Sequence, residues 1–536
     1  MSNNRGVMVR LFSTVVGLRC ALDAYRQAAP DLEAQPLPLS IGLVPTMGAL
    51  HEGHMSLIHR ARRDNDVVVV SIFVNPLQFG PQEDLQQYPK TLDRDRLQCA
   101  AAGVDLIFAP TVADLYGEEP AGDRLTQVIP PRSLVDRLCG LARPGHFEGV
   151  ATVVTKLLNI VQPHRAYFGQ KDAQQLAIIR QLVADLNLPV DICGCSIVRE
   201  ASGLAYSSRN QYLSEEERSQ AAVLYRSLQR AEAQFRQGVR QRDDLLAAVQ
   251  QDLETDAGVQ PEYIDLVHPR TMAPLDQIDD VGLVAIAARI GSTRLIDNLL
   301  LRNRAPIVAI DGPAGAGKST VVRRVAQELG LLYLDTGAMY RAVTWLALHE
   351  GLDLQDEAAI AELVSQCEIQ LLPSPDVAQA CQVQINGHDV TQAIRTAEVT
   401  DQVSAIAAQP YVRKALVQQQ QRYGRQGGVI MEGRDIGTHV FPHAELKLFL
   451  TASVQERARR RQQDLKNQGQ GTPALDDLEQ SIYERDRKDS TRVIAPLRKA
   501  DDAIELQTDH LTIEDVTAQI VRLYHERISP NPEQTP

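Results

Sequence analysis

The longest apolar stretch in this chain of 536 residues, Val67 to Val74, lies between Asp66 and Asn75. It is far short of the ~20 residues a helix needs to cross a bilayer, so no membrane span is expected. A surplus of positive charge is missing too. Asp and Glu number 68 against 55 Lys and Arg, a formal net charge of −13. No general field therefore draws the protein to nucleic acid or to an anionic membrane, and phosphate-binding charge must be local. Cysteine is sparse: seven, scattered from Cys20 to Cys381, form no disulfide framework and suit a reducing cytoplasm. Cys193 and Cys195 would share one face of a strand, but no matching His or Cys pair accompanies them, and they read as buried thiols rather than metal ligands. Acid is absent from the first 22 residues, which carry Arg5, Arg10 and Arg19, a weak likeness to an organellar transit peptide. The helical spacing of Val15, Leu18, Leu22 and Tyr25 suits a domain instead. Only Met1 to Val9 then reads as dispensable, with Met8 as an alternative start. No internal repeat of fixed period is present.

What is there is ordinary globular composition, 44% hydrophobic and 23% charged, in a chain longer than the ~250 to 300 residues one core can serve. Short β-branched runs alternate with amphipathic stretches from Ile41. Ile41 to Val44, Val67 to Val74, Asp105 to Ala109, Ala166 to Gly169 and Val190 to Val198 read as strands, with Phe147 to Val161 and Ala173 to Leu186 as helices among them. Such alternation predicts an α/β fold with a doubly wound parallel sheet, whose ligands sit beyond the carboxyl ends of the strands. After Asn210 a capping box, Ser214 to Glu217, opens a polar helical run to about Asp256, followed by strands at Tyr263 to Val267 and Leu283 to Ile290. These place a small α+β subdomain at about 211–301. The basic, proline-containing segment Arg302 to Pro306 reads as a linker. A second alternation runs from Ile307 to the C-terminus, with a strand-rich insertion at Ile369 to Val390.

The second half opens with a motif of high specificity. Ile307 to Asp311 is a buried strand, and Gly312-Pro313-Ala314-Gly315-Ala316-Gly317-Lys318-Ser319-Thr320 fits G-x-x-x-x-G-K-[ST] before a helix. Its glycines turn backbone N–H groups toward phosphates, Lys318 can neutralise β and γ oxygens, and Ser319 can hold Mg²⁺. The guanine motif N-K-x-D is missing. Instead Leu334-Asp-Thr336-Gly-Ala-Met-Tyr-Arg341, Met431-Glu-Gly-Arg434-Asp435 and Glu484-Arg485-Asp-Arg-Lys-Asp489-Ser-Thr-Arg492 supply separated cations and carboxylates. They suit an acceptor that carries a phosphate and a polar base. With these motifs the half resembles bacterial cytidylate kinases over Ile307 to about Leu523. The resemblance implies that Gly312 to Thr320 bind ATP with Lys318 catalytic, and that Thr336, Arg341, Ser404, Arg413, Arg434, Asp435, Arg485, Asp489 and Arg492 line a CMP site. It also makes Arg457 to Arg461 a lid, and Ile369 to Val390 the nucleoside monophosphate domain.

In the first half, Pro45-Thr-Met47-Gly48-Ala49-Leu50-His51-Glu52-Gly53-His54 follows the first of these strands and precedes a helix. The zinc motif H-E-x-x-H would need its second histidine where Met55 stands, so zinc is rejected. Two histidines at a helix N-terminus can instead donate to phosphate oxygens. Asn75 and Gln78 follow the next strand, Arg143-Pro-Gly-His146 opens a helix, and Gly169-Gln170-Lys171-Asp172-Ala-Gln-Gln175 closes a later strand. Val198 and Tyr206-Ser207-Ser208-Arg209 end the series. This set resembles the pantoate and β-alanine ligases of the HxGH nucleotidyltransferase superfamily, over about Val9 to Leu301. The resemblance implies a Rossmann-like domain at about 9–210. ATP would be bound by Met47 to His54, Gly169 to Asp172, Val198 and Tyr206 to Arg209. His54 would be the catalytic histidine, Asn75, Gln78 and Gln175 would hold pantoate, and Arg143 would lie near the phosphates. Tyr206 departs from the methionine usual there.

The domains expected are thus 1–301 and 302–536. The expected substrates are pantoate, β-alanine, ATP, CMP and dCMP, with Mg²⁺ as cofactor, no nucleic acid or membrane partner, a cytoplasmic location and a homodimer through the first half. Two rival readings stand beside this one: another HxGH enzyme, such as an adenylyltransferase, and a non-catalytic P-loop regulator in the second half. Gln78 and Gln175 argue against the former, and Lys318, Asp435 and Asp489 against the latter.

Overall fold

The computed structural model describes residues 9–27, 39–80, 83–117, 125–372, 381–467, 472–491 and 495–528. The chain forms two compact units, Met1–Asn303 and Arg304–Pro536.

The first unit is built on a parallel sheet of β1 (Arg10–Phe12), β2 (Ile41–Thr46), β3 (Val67–Ile72), β4 (Leu106–Phe108), β5 (Arg165–Gly169) and β6 (Asp191–Cys195), in the order β1-β4-β3-β2-β5-β6. The unbroken Val67 to Val70 run is fully buried because helices cover both faces of such a sheet. The strand order reverses at β2 and β5, which are parallel, so the segments that leave these two strands face one crevice. β1 was not legible in the sequence: it has three residues, two of them exposed, at the sheet edge. Its neighbour Val9 is only 4% exposed, which corrects the expectation that Val9 is dispensable.

The small subdomain packs helices Glu215–Ala221, Val223–Arg236 and Arg242–Leu253 on an antiparallel sheet of β7 (Val259–Val267), β8 (Val281–Ile290) and β9 (Thr293–Arg302). Ser214 and Glu217 form the capping box expected of them. β9 is the main element the sequence hid. Asp297 and Asn298 interrupt its apolar pattern, and both are buried.

Those two polar residues tie the subdomain to the larger sheet. Arg199 donates to both oxygens of Asp297, at 2.5 and 2.9 Å, and its guanidinium lies 3.7 Å from the centre of the Tyr225 ring.

The second unit has a parallel sheet of β10 (Ile307–Asp311), β11 (Leu332–Asp335), β15 (Val429–Gly433), β16 (Leu446–Thr451) and β17 (Ile504–Gln507), in the order β11-β15-β10-β16-β17. Between β11 and β15 lies the antiparallel sheet of β12 (Ile369–Leu372), β13 (Gln382–Ile385) and β14 (His388–Asp389). Central β10 is buried along its whole length, so the loop after it starts from a fixed point. No helix among the described residues is long and apolar enough to cross a membrane.

Asp297 has a side chain only 2% exposed, so removing its cation strands a carboxylate out of water. Arg199→Met is expected to lower the stability of the first unit by about 3 to 5 kcal/mol. Denaturant unfolding of the full chain followed by circular dichroism checks this, with Arg199→Met/Asp297→Leu recovering most of the loss.

Candidate active sites

The first site begins where β2 ends. Gly48 and Ala49 both have positive φ, +84° and +50°, a strained turn for alanine. Asp95, on the helix Leu92–Ala101 and 1% exposed, holds it by accepting from the Ala49 and Leu50 N–H groups at 3.0 and 2.9 Å. The chain then enters the helix Glu52–Asp64 with His51 as its cap residue. The His51 and His54 rings stack with centres 4.0 Å apart, and Nδ1 of each is buried with no protein partner. Burial, then the Lys171 charge, pushes the His51 pKa down to about 4. Burial, then His51 and Lys171, holds His54 well below the usual range. Both rings are neutral at pH 7, and each offers one N–H to an oxygen ligand.

Lys171 joins this stack to a cleft of about 680 Å³, solvent at its mouth included, which it lines with Asp172, Gln175, Ser207, Arg209 and Arg143. The segment that carries Lys171 is fixed from the small subdomain: Asn298 donates from Nδ2 to the carbonyls of Gln170 and Lys171 at 3.0 and 2.8 Å. Tyr206 donates its N–H to the Val198 carbonyl at 3.0 Å, and its ring stacks 6.2 Å from that of His51. Ser207 caps the turn that carries Arg209, and Ser208 contacts the Tyr88 hydroxyl at 3.2 Å. Glu52 is exposed, whereas Gly53 sits with its Cα against the His51 ring, where a Cβ would come within 2.9 Å.

Asn75 differs from its expected role, and Arg143 keeps its place in the cleft with an internal partner. Asn75 is 1% exposed and engaged within the protein: it donates to Gln78 Oε1 at 3.2 Å and the Gly149 carbonyl at 3.0 Å, and accepts from the Tyr116 hydroxyl at 2.9 Å. It orients Gln78, which in turn donates to the Met47 sulfur at 3.0 Å, rather than offering its own amide to a substrate. Arg143 lines the cleft but is gripped by Glu83, at 2.7 and 2.5 Å, and also donates to His146 Nε2 at 3.1 Å. His146 donates from Nδ1 to the Gln78 carbonyl at 2.7 Å.

In the second unit, Gly312 leaves β10 at φ +150°, where a Cβ would fall 2.0 Å from the Leu450 carbonyl, and Gly317 caps the helix Lys318–Leu329 at φ +82°. Only glycine fits either position. Lys318, 6% exposed, donates to the carbonyls of Gly312 and Pro313 at 2.8 and 2.7 Å. Phosphate oxygens would replace these acceptors. Ser319 donates to Glu432 Oε1 at 2.6 Å, as does Tyr333 at 2.7 Å, while Glu432 Oε2 is buried without a partner. Burial, then Asp335, raises the Glu432 pKa. The hydroxyl and the spare carboxylate oxygen are hard donors that fit Mg²⁺.

Most of the expected acceptor residues gather near Arg434. Thr336 donates to the Glu432 carbonyl at 2.8 Å, Arg341 pairs with Asp335 at 2.9 Å, and Arg434 pairs with Asp489 at 3.1 Å. Arg413, 3% exposed, pairs with Asp435, with its Nε left without a partner, as is Nε of Arg341. Much of Arg485 is exposed, yet its charged tip is crowded: burial, then Arg434 with Arg461 and Arg341 beyond, lowers its pKa. Clustered guanidinium groups of this kind await a dianion. Ser404 is exposed on the helix Ala397–Ala408, and Arg492 lies outside the described residues. Arg457, expected in a lid, is 3% exposed and braces the glycine-rich loop, donating to the Ala314 carbonyl at 3.1 Å and Asp486 at 2.6 Å.

Sequence reasoning missed Asp95, Glu83, Asn298, Asp311 and Glu432 as parts of these sites. Glu432 lies within the motif Met431 to Asp435, and its place on β15 beside β10 was the available signal. Asp311 directly precedes the glycine-rich loop but meets residues 436 and 437 only through the fold, and Asp95, Glu83 and Asn298 touch the site through contacts between elements distant in sequence.

The His51 shift has a signed consequence. A folded pKa of about 4 against the ordinary 6.5 means the unfolded chain binds more protons between those values, so this group's contribution is whole above pH 6.5 and is lost as pH falls toward 4. Histidine NMR titration should give a His51 midpoint near 4, and His51→Gln should flatten the decline in first-unit stability across that window.

Comparison with known proteins gives each unit a family. The family model for pantoate-beta-alanine ligase matches residues 12–300, and that for cytidylate kinase matches residues 308–526. A bifunctional pantoate ligase/cytidylate kinase of Trichormus variabilis is 60% identical over 532 residues, covering 97% of this chain and 100% of that protein. One from Acaryochloris marina is 59% identical over 524 residues, covering 97% and 98%. A crystal structure of pantothenate synthetase from Thermus thermophilus is 46% identical, covers 54% of this chain and 99% of its own, and superposes with a TM-score of 0.49. On this identity over nearly its full length, the chain belongs to the bifunctional pantoate ligase/cytidylate kinase family.

Proposed function

We propose that the first unit, Met1–Asn303, condenses pantoate with β-alanine at the expense of ATP, and that the second, Arg304–Pro536, transfers the terminal phosphoryl group of ATP to CMP; the boundary expected at 301 falls two residues later because Arg302 closes β9. The observation that carries this reading is that each unit gathers its phosphate-binding groups beyond the carboxyl ends of one parallel sheet. One set consists of the two neutral histidines with Lys171 and Arg209, the other of the glycine-rich loop with clustered arginines.

In the first unit a pantoate carboxylate oxygen attacks the α-phosphorus, the bond to the bridging oxygen breaks, and pyrophosphate leaves. His51 and His54 donate to phosphate oxygens as neutral imidazoles, so their strength does not depend on protonation near pH 7. Lys171, Arg209 and Arg143 offset the charge, Arg143 by exchanging Glu83 for phosphate. Gln78 and Gln175 hold pantoate, Asn75 acts through Gln78, and Asp172 takes a ribose hydroxyl. The neutral β-alanine amine then attacks the acyl carbon of pantoyl adenylate, AMP departs, and the proton passes to solvent.

In the second unit a phosphate oxygen of CMP attacks the γ-phosphorus and ADP leaves. No covalent intermediate is needed, because placement and charge neutralisation carry the reaction. Lys318 bridges the β and γ oxygens, while Arg341, Arg413, Arg434 and Arg485 grip the acceptor phosphate. Asp489 takes its sugar or base. Ser319 and Glu432 would hold Mg²⁺, which would supply further neutralisation of phosphate charge. Acceptance of dCMP, a cytoplasmic location and a homodimer through the first unit extend this reading on family resemblance alone.

His54→Ala is expected to slow pantoate-dependent pyrophosphate release by ~10²-fold or more, the scale of removing one preorganised donor, while CMP phosphorylation is unchanged. Lys318→Ala should do the reverse, lowering CDP formation by ~10³-fold or more. Product identification with each acceptor set checks both. A wild-type chain that makes neither pantothenate nor CDP from ATP would overturn the reading.

A further inference from the structure

The kinase reading leaves unexplained a carboxylate buried at the centre of the second unit. Asp311 is the last residue of β10, directly before Gly312, yet its side chain bonds to another element and the residue is 4% exposed. Oδ1 accepts the Ile436 N–H and Oδ2 accepts the Gly437 N–H, each at 2.7 Å. These are the first two N–H groups of the π-helical turn Ile436–Val440, and the first donors of a helical turn have no acceptor inside it. The turn follows immediately on Arg434 and Asp435, and a Cβ on Gly437 would come within 3.3 Å of Oδ2.

We infer that Asp311 is a positioning residue that sets the phosphoryl donor cradle against the acceptor cradle. The inference rests on the kinase reading. One side of Asp311 is joined covalently to the loop that would hold the ATP phosphates. The other is bonded to the backbone that aims Arg434 toward Asp489 and Asp435 toward Arg413. A single carboxylate with one acceptor for each N–H thus fixes the spacing across which phosphorus must travel, where misplacement by an ångström costs rate. Burial holds the Asp311 carboxyl up at about 6 despite these two bonds, with Asp435 opposing its charge and Lys318 favouring it. A π-helical turn is itself a common mark of functional sites.

Asp311→Asn keeps the shape but sets an NH₂ donor against one of the two N–H groups. In the full-length protein, KM for CMP is expected to rise ~10-fold or more with a fall in kcat, the scale of losing one hydrogen bond to a charged group. Affinity for an unreactive ATP analogue should change less than about 2-fold. Unchanged CMP kinetics, or equal losses for CMP and the analogue, would overturn the inference. Should the variant fail to fold, the wild-type chain still decides. The analogue alone must slow amide exchange across residues 434–440, and exchange that does not respond to it refutes the coupling. A wild-type chain inactive on CMP would instead sink the kinase reading.

Discussion

Cations held out of water govern both units. A guanidinium or ammonium group removed from solvent must find compensating oxygens, and each phosphate-binding cation with a described bond finds them inside the protein. Lys318 closes on two carbonyls of its own loop, Arg413 on Asp435, Arg434 on Asp489, and Arg143 on Glu83. The internal acceptors hold these cations in place without a ligand; under the proposed function, phosphate oxygens would take over from them.

The two units solve the same electrostatic problem with different chemistry. In the first, the groups at the head of the helix Glu52–Asp64 are uncharged rings whose Nδ1 atoms lack protein partners, and the nearby charge is that of Lys171. In the second, charge is concentrated in arginines that crowd one another, as at Arg485 and Arg434. An α-phosphorus under attack by a small carboxylate needs directed hydrogen bonds. Two phosphate groups brought together need their mutual repulsion cancelled.

The sheets and their order were legible because strand and helix alternate with little interruption, and the Gly312 to Thr320 loop was legible because only glycine serves at two of its positions. β1 escaped because three edge residues leave no period to read, and β9 because buried Asp297 and Asn298 break its apolar pattern. Candidate residues could be named from motifs, but their partners could not. Nothing local says that Asn75 is saturated by Gly149 and Tyr116, or that Asp95 restrains Ala49. Such pairings come from folding distant segments together.

The Asn298 amide has an evolutionary corollary. Its two bonds to the Gln170 and Lys171 carbonyls make a strand of the small subdomain part of the support behind the cleft. Because the acceptors are backbone oxygens, this anchor makes no demand of its own on the side chains at positions 170 and 171, whereas the donor has no substitute of equal length and polarity. The strand is therefore the less tolerant partner of the contact, and a chimera that exchanged subdomains between relatives would inherit its aim from whichever parent supplied residue 298.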